Sequence, residues 1–152
     1  MKLIAIDSST TKTALANFVD GKYVNVNLIN LESEKEMETR IKNMALSIIT
    51  YLDECLPDTI YIEETVVIRN ANTQRMLTRL QGVVYGWCLT HNCSFHTIRP
   101  TTWRKLVGIR QGRKKREELK QEAIALISNQ LSINVNDDEA EAILIGEAAF
   151  LL

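Results

Sequence analysis

The chain has 152 residues, of which 45% are hydrophobic and 24% charged, and its formal net charge is −1. The length predicts a single domain over residues 1–152, with a composition ordinary for a globular protein. No apolar run approaches the roughly 18 residues of a membrane-spanning helix, and the first residues lack the apolar core of a signal peptide. Three cysteines without a Cys-x-x-Cys pair predict reduced thiols in the cytoplasm. We therefore expect neither a disulfide scaffold, a secreted module, a membrane protein nor a multidomain assembly.

The first half of the chain is predicted to form three antiparallel strands and a helix. The strands cover residues 2–7, 12–18 and 22–29, and Asp20-Gly21 is typical of a tight hairpin turn between the last two. Ser33 and Glu36 fit a capping box, which predicts a helix over residues 33–56. Apolar residues recur along this segment at helical spacing, so the helix should be amphipathic.

The second half alternates strands with helices. Strands are predicted over residues 59–63 and 94–98, and helices over residues 70–91, 100–107, 114–129 and 137–152. The last helix is apolar nearly all round and should be largely buried. The order of elements predicts an α/β fold with a mixed five-stranded sheet, three strands antiparallel and then two parallel, flanked by helices.

Four carboxylates stand where such a fold would bring them together. Asp7 and Glu63 end the first and fourth predicted strands, and open α/β sheets bind ligands at that edge. Asp138 and Glu141 share the core-facing side of the last helix. Burying four acids together costs several kcal/mol unless a cation is bound. Carboxylate oxygens suit Mg²⁺ or Mn²⁺, and two such ions about 4 Å apart can activate water at a phosphodiester.

Each of these acids also has an ordinary structural explanation. Asp7 could close a turn with the serines that follow it, and Glu63 could be an exposed strand end. Residues 136–138 fit a helix N-cap and first turn, where acids are favoured. These explanations do not account for Glu141 on the core-facing side or for acids at two strand ends. On the residues alone, a metal site and a set of unrelated structural acids remain open alternatives.

Positive charge is concentrated in two blocks. Residues 99–120 contain nine Lys or Arg and two acids, and residues 69–81 contain three Arg and no acid. Residues 121–152 contain six acids and no Lys or Arg. This distribution is typical of a protein that binds a polyanion with one surface and cations with another. Exposed helix faces with unrelated charge are the alternative, particularly for residues 110–116.

The ordered motifs resemble the RuvC family of Holliday junction resolvases in the RNase H-like superfamily, and the phage branch in particular. The matching segments are IAIDSSTTKTALA, IYIEETVVIRNANTQRMLTRLQGVVYG, RPTTWRKLVG and DDEAEAILIGEAA, which begin at residues 4, 60, 99 and 137. The resemblance implies that Asp7, Glu63, Asp138 and Glu141 are catalytic metal ligands, with Glu64 the alternative to Glu63. The family has Asp where this chain has Glu141, so metal distances or metal preference should differ.

The same resemblance implies the reaction. We expect an Mg²⁺-dependent endonuclease with two ions per site, able to use Mn²⁺, that acts as a homodimer on four-way DNA junctions. It would nick two strands of like polarity and leave 5′-phosphate and 3′-hydroxyl ends. No membrane and no nucleotide cofactor are expected, and a phage-encoded enzyme would act in the bacterial host cytoplasm.

The resemblance also assigns roles to basic and aromatic positions. The family's active-site lysines correspond to Arg104 and to a position in 113–115, so Arg104, Lys114 and Lys115 are predicted to be catalytic. The family often has an aromatic wedge after its strand-end Glu, whereas this chain has Thr65-Val66-Val67, so wedging should be weaker. Residues predicted to line the DNA are Arg69, Asn70, Arg75, Gln81, Arg104, Lys105, Arg110, Arg113, Lys114, Lys115 and Arg116.

Other functions remain open from the sequence. The protein could cut forks, flaps and three-way branches as well, or bind junctions with little catalysis. A kinase-like nucleotide-binding protein is suggested by DSSTTKT at residues 7–13, but this chain is too short for the second lobe. Tyr85 and Trp103 could stack on bases or lie in the core.

Overall fold

The computed structural model describes residues 1–66 and 69–152. The strands are β1 (Lys2–Ser8), β2 (Lys12–Val19), β3 (Lys22–Asn30), β4 (Thr59–Glu63) and β5 (Ser94–Ile98). The helices are α1 (Met37–Cys55), α2 (Ala71–Thr90), α3 (Pro100–Leu106), α4 (Arg116–Leu131) and α5 (Asp137–Ala149). The predicted order of elements is confirmed. Within the described ranges, no helix combines the length and apolarity needed to cross a bilayer.

All five strands belong to one mixed sheet with the order β3-β2-β1-β4-β5. β2 pairs antiparallel with β1 and β3, whereas β4 pairs parallel with β1 and β5. The predicted α/β class and mixed sheet are therefore confirmed. Ile6 of β1 lies in register with Ile62 of β4. The residues that follow, Asp7 and Glu63, therefore leave neighbouring parallel strands side by side on the same face of the sheet.

A hydrophobic core lies on each side of this sheet. Alternate residues of β1 face opposite ways, so Ala5 packs with α3, α4 and α5, whereas Ile4 packs with α1 and α2. Asp7 follows the alternation of Ala5 and faces α5. Eight of the 13 residues of α5 are buried, which confirms the prediction from its continuous apolar pattern. The helix that carries Glu141 therefore lies directly over the acidic edge of the sheet.

Two helices begin two or more residues later than predicted. The capping box at Ser33 is wrong, because α1 begins at Met37 with Glu36 as its N-cap. The Glu36 carboxylate accepts the Thr39 backbone N–H at 2.6 Å, while Ser33 lies in a turn. α4 likewise begins at Arg116 rather than at residue 114. Local cap patterns compete with other contacts, and the segment before α1 is held by a hydrogen bond from Arg40 Nη1 to the Glu34 carbonyl oxygen.

α5 approaches β2 very closely at Gly146. A Cβ atom at this position would lie 2.1 Å from Cε2 of Phe18. The Phe18 side chain is only 2% exposed and packs against Tyr23 and Phe150 at centroid distances of 6.0 and 5.7 Å. The ring has little room to move, so Gly146 fixes the separation between α5 and the sheet.

We predict that Gly146→Ala destabilises the protein by about 1–3 kcal/mol, because the added methyl group overpacks the contact with Phe18. Urea denaturation would measure the change. Gly86→Ala is the matched control, since a Cβ there meets nothing within 4 Å. Alanine has the higher helix propensity, so the control should be neutral or stabilising by up to about 1 kcal/mol. Equal stability of the two variants would contradict the close packing of α5.

Candidate active site

Three of the four predicted acids converge at the C-terminal edge of β1 and β4. One carboxylate oxygen from each of Asp7, Glu63 and Glu141 lies within 4.8 Å of the other two. Asp7 and Glu141 are both only 8% exposed, and Glu63 is half-buried. Adjacent parallel strands supply the first two side chains, and α5 lays the third over them. We refer to these three residues as the carboxylate cluster.

Asp138 lies beside this cluster. Its charge contributes to raising the pKa of Asp7 and Glu141, but its carboxylate does not share the mutual 4.8 Å separation of the other three. Burial raises the pKa of Asp138, and the positive charges of Lys12 and Lys120 partly oppose that shift. Sequence reasoning missed both lysines, because their approach to Asp138 depends on how β2 and α4 pack around α5.

Burial and mutual repulsion raise the pKa of the cluster carboxyls. For Asp7 the pKa is well above its usual range, first through burial and then through the charges of Glu63 and Glu141. For Glu141 burial and the charge of Glu63 raise the pKa to about 7. A metal-free cluster is therefore electrostatically strained near neutral pH.

Glu63 is held in the cluster by Trp103. The indole Nε1 of Trp103 donates to Oε2 of Glu63 at 2.7 Å, and this bond opposes the rise in the Glu63 pKa caused by burial. Trp103 is fully buried, so the alternative that it stacks on bases is wrong. Glu64 points elsewhere and accepts from Arg99 Nε at 3.0 Å. The structure thus places Glu63, and not its neighbour, with Asp7.

The cluster fits a hard divalent cation. Oδ2 of Asp7 is buried and has no hydrogen-bond partner among the described residues. An unsatisfied buried carboxylate oxygen costs about 1–3 kcal/mol or more, and a bound cation would remove that cost. Asp7, Glu63 and Glu141 together offer only oxygen donors, which is the ligand type that Mg²⁺ and Mn²⁺ prefer.

Two arginines act electrostatically on the cluster. Arg104 lowers the pKa of both Glu63 and Glu141, and Arg116 lowers that of Glu63. The guanidinium of Arg104 also lies over the Trp103 ring, with Cζ 5.0 Å from the ring centroid. Arg104 was predicted near the site, whereas Arg116 was predicted only to contact DNA.

The two predicted catalytic lysines, Lys114 and Lys115, lie immediately before α4. Lys114 Nζ donates to Oε1 of Glu122 at 2.5 Å. Lys115 is the exposed N-cap of α4 and makes no side-chain capping bond. Their catalytic roles stay predictions. In the same segment, the charge of Arg116 lowers the pKa of Glu63.

The other predicted DNA-contacting residues occupy two regions. At the start of α2, Asn70 is the N-cap and accepts from the Thr73 backbone N–H at 3.2 Å. Further along α2, Gln81 accepts from the Thr65 hydroxyl at 3.3 Å. Lys105 and Arg110 line an open cavity beside α3.

In the predicted wedge segment Val66 is half exposed, at 50%, and residue 67 lies outside the described residues. Arg69, Arg75 and Arg113 are exposed.

The strand order β3-β2-β1-β4-β5, with parallel and antiparallel pairs and flanking helices, is that of an RNase H-like fold. The family profile of crossover junction endodeoxyribonuclease RuvC matches residues 5–146, so this chain belongs to the RuvC family. No curated protein matches the chain.

Solved structures agree on the fold. Thermus thermophilus RuvC in complex with a Holliday junction substrate is 13% identical with a TM-score of 0.76, over 99% of this chain and 94% of that chain. Thermus thermophilus RuvC itself is 15% identical with a TM-score of 0.73, over the same shares of 99% and 94%. The yeast mitochondrial Holliday junction resolvase is 16% identical with a TM-score of 0.60, over 98% of this chain and 77% of that chain.

We predict that the metal-free protein loses stability as the pH rises through the titration of Glu141. Its pKa in the folded state is about 7, against a usual value of 4.5. Between these values the folded state binds more protons than the unfolded state, so the free energy of unfolding falls as the pH rises. In EDTA we expect a loss on the order of 1–3 kcal/mol between about pH 5 and pH 7.5.

Urea denaturation in EDTA at the two pH values would measure this effect. Glu141→Gln should flatten the dependence and raise stability at the higher pH, and Mn²⁺ should stabilise the wild type there by binding the folded state. Glu54→Gln, which removes an exposed carboxylate of α1, should behave as the wild type. A wild-type profile that is flat in EDTA would show that the cluster carries no electrostatic strain.

Proposed function

We propose that this protein is a divalent-metal-dependent endonuclease that resolves four-way DNA junctions. The observation that carries the proposal is the carboxylate cluster, with its buried and unpartnered Asp7 oxygen, in a chain of the RuvC family. The similarity to an RuvC bound to a Holliday junction supports branched DNA as the substrate. The products would be paired nicks in strands of like polarity, with 5′-phosphate and 3′-hydroxyl ends.

Different residues of the chain would bind the cation and orient its ligands. Asp7, Glu63 and Glu141 would hold the cation, and Asp138 would complete a second position if two ions bind. When bound, Mg²⁺ or Mn²⁺ supplies a Lewis acid that activates water and neutralises charge on the phosphate. Trp103 keeps one oxygen of Glu63 oriented through its 2.7 Å hydrogen bond.

Arg104 is suited to bind the phosphate next to the cut. It acts electrostatically on two cluster acids, and a guanidinium can bind two phosphate oxygens at once. Lys105, Arg110 and Arg113 extend positive charge from this point along residues 105–113. These side chains would contact the DNA backbone without reading its sequence, so junction affinity should fall steeply with salt.

A homodimer suits this substrate. A four-way junction has approximate two-fold symmetry, and two copies of one active site related by a two-fold axis could cut opposite strands. A phage enzyme working in the bacterial host cytoplasm would meet such junctions during DNA recombination and repair. Cleavage of forks, flaps and three-way branches, and junction binding with weak catalysis, are the alternatives that the same assay separates.

We predict metal-dependent paired nicks on a labelled four-way junction, and little cutting of a linear duplex of the same sequence. EDTA should abolish the nicks. Asp7→Asn should abolish them as well while leaving junction binding within about two-fold, because one neutral amide replaces a metal ligand without altering the DNA surface. Glu54→Gln, at an exposed position of α1, is the control and should cleave as the wild type does.

Gel analysis with each strand labelled in turn would map the cuts and their polarity. Equal cutting of forks and flaps would favour the broader branched-DNA enzyme. Junction binding without cleavage in either metal would contradict the nuclease proposal and would identify Glu141, where the family has Asp, as the first residue to change. Glu141→Asp should then restore cleavage.

We further predict that Arg116→Ala slows cleavage more than Lys114→Ala does. Arg116 lowers the pKa of Glu63, whereas Lys114 is paired with Glu122. A charged group at the reacting phosphate is worth roughly 10–1,000-fold in rate, and a distant phosphate contact changes mainly affinity. Single-turnover rates at saturating protein separate the two effects. A larger loss of rate in Lys114→Ala than in Arg116→Ala would contradict this prediction and support Lys114 as the catalytic residue.

A further inference from the structure

Arg40 is a buried cation in the first turn of α1. It is only 9% exposed, and it belongs to the helix on the opposite side of the sheet from the carboxylate cluster. Across residues 1–66 and 69–152, no carboxylate forms an ion pair with it. Burying a guanidinium is unfavourable unless hydrogen bonds replace its hydration. The groups that accept those bonds therefore show what this residue does.

The guanidinium bonds to the backbone of two loops. Nε donates to the Thr10 carbonyl oxygen at 2.7 Å, and Nη1 donates to the Glu34 carbonyl oxygen at 2.9 Å. Nη2 lies 3.2 Å from Sδ of Met37. Thr10 belongs to the loop between β1 and β2, and Glu34 precedes α1. The guanidinium binds the two carbonyls through different nitrogens held in one plane, whereas a lysine has only a single ammonium nitrogen to reach both.

The first of these loops joins two residues of the active site. It consists of residues 9–11 and begins two positions after Asp7. The next residue is Lys12, the first of β2, whose charge acts on Asp138. Within the loop, the Lys12 backbone N–H donates to Ser9 Oγ at 2.9 Å. The Leu31 backbone N–H donates to the Thr11 carbonyl oxygen at 2.8 Å. The bond from Arg40 to Thr10 fixes the residue between these two contacts.

We propose that Arg40 is a positioning residue for the active site, which clamps the β1–β2 loop and thereby fixes Asp7 and Lys12 relative to α5. The proposal rests on the proposed function for its effect on cleavage. Its effects on loop dynamics and on metal affinity are independent of the substrate. Small displacements of aligned groups cost up to about 100-fold in rate, so a loosened loop should slow cleavage without weakening DNA binding.

The test compares two variants, Arg40→Met and Arg40→Lys, with one control. The control is Ile48→Val or Leu52→Ala, and the one chosen is the variant whose loss of Tm matches that of Arg40→Met. Ile48 and Leu52 are fully buried on the same helix but lie further along it. Hydrogen exchange would be measured at the Lys12 and Leu31 amides. The Mn²⁺ affinity would be obtained by fitting the increase of Tm with Mn²⁺ concentration. Single-turnover cleavage and junction Kd complete the set.

For Arg40→Met we expect at least about 10-fold faster exchange at both amides, several-fold weaker Mn²⁺ binding and roughly 10–100-fold slower cleavage, with junction Kd within about two-fold. Arg40→Lys should recover these values only in part, and the matched control should change none of them. Equal effects in the control, or unchanged exchange in Arg40→Met, would overturn the proposal.

The two proposals fail in different ways. If the wild type cuts no junction in either metal, the proposed function is wrong. The exchange rates and the Mn²⁺ affinity then still decide whether Arg40 clamps the loop. If the wild type cleaves and Arg40→Met cleaves equally fast, the positioning role is wrong and the nuclease stands.

Discussion

The crowding of like charges at one edge of the sheet is the constraint on which the site depends. Asp7, Glu63 and Glu141 each bring an oxygen within 4.8 Å of the others in a position largely removed from water. Such an arrangement is stable only if protons or a cation neutralise it. The raised pKa values of Asp7 and Glu141 reflect the unfavourable free energy of ionising these carboxyl groups together without a neutralising charge. The rest of the molecule supplies the rigidity that keeps these groups together.

That rigidity comes from three different contacts. Parallel pairing of β1 with β4 fixes the first two acids, because Ile6 and Ile62 are in register one residue before them. The close approach at Gly146 sets the height of α5 over the sheet. The indole of Trp103 holds one oxygen of Glu63. Loss of any one would leave the acids in the sequence and still spoil their arrangement.

The positive charges near α3 and α4 occupy two different places. Arg104 and Arg116 reach the cluster electrostatically, whereas Lys105 and Arg110 line a surface beside α3. Arg104 and Lys105 are neighbours on α3 and still face different surroundings, since successive side chains of a helix point about 100° apart. A net charge of −1 hides this organisation, because over the whole chain 18 Lys and Arg offset 19 Asp and Glu.

The sequence by itself determined the order of elements, the mixed sheet and the acids at its edge. Hydrophobic periodicity and strand-end residues carry that information locally, and four ordered motifs carried the family. Only the tertiary structure decided that Glu63 and not Glu64 joins the cluster, and that α1 begins at Met37. The same is true of Trp103 and Arg40, whose partners lie 40 and 30 residues away in sequence. Hydrogen bonds of this range depend on how whole elements pack, and no local pattern encodes them.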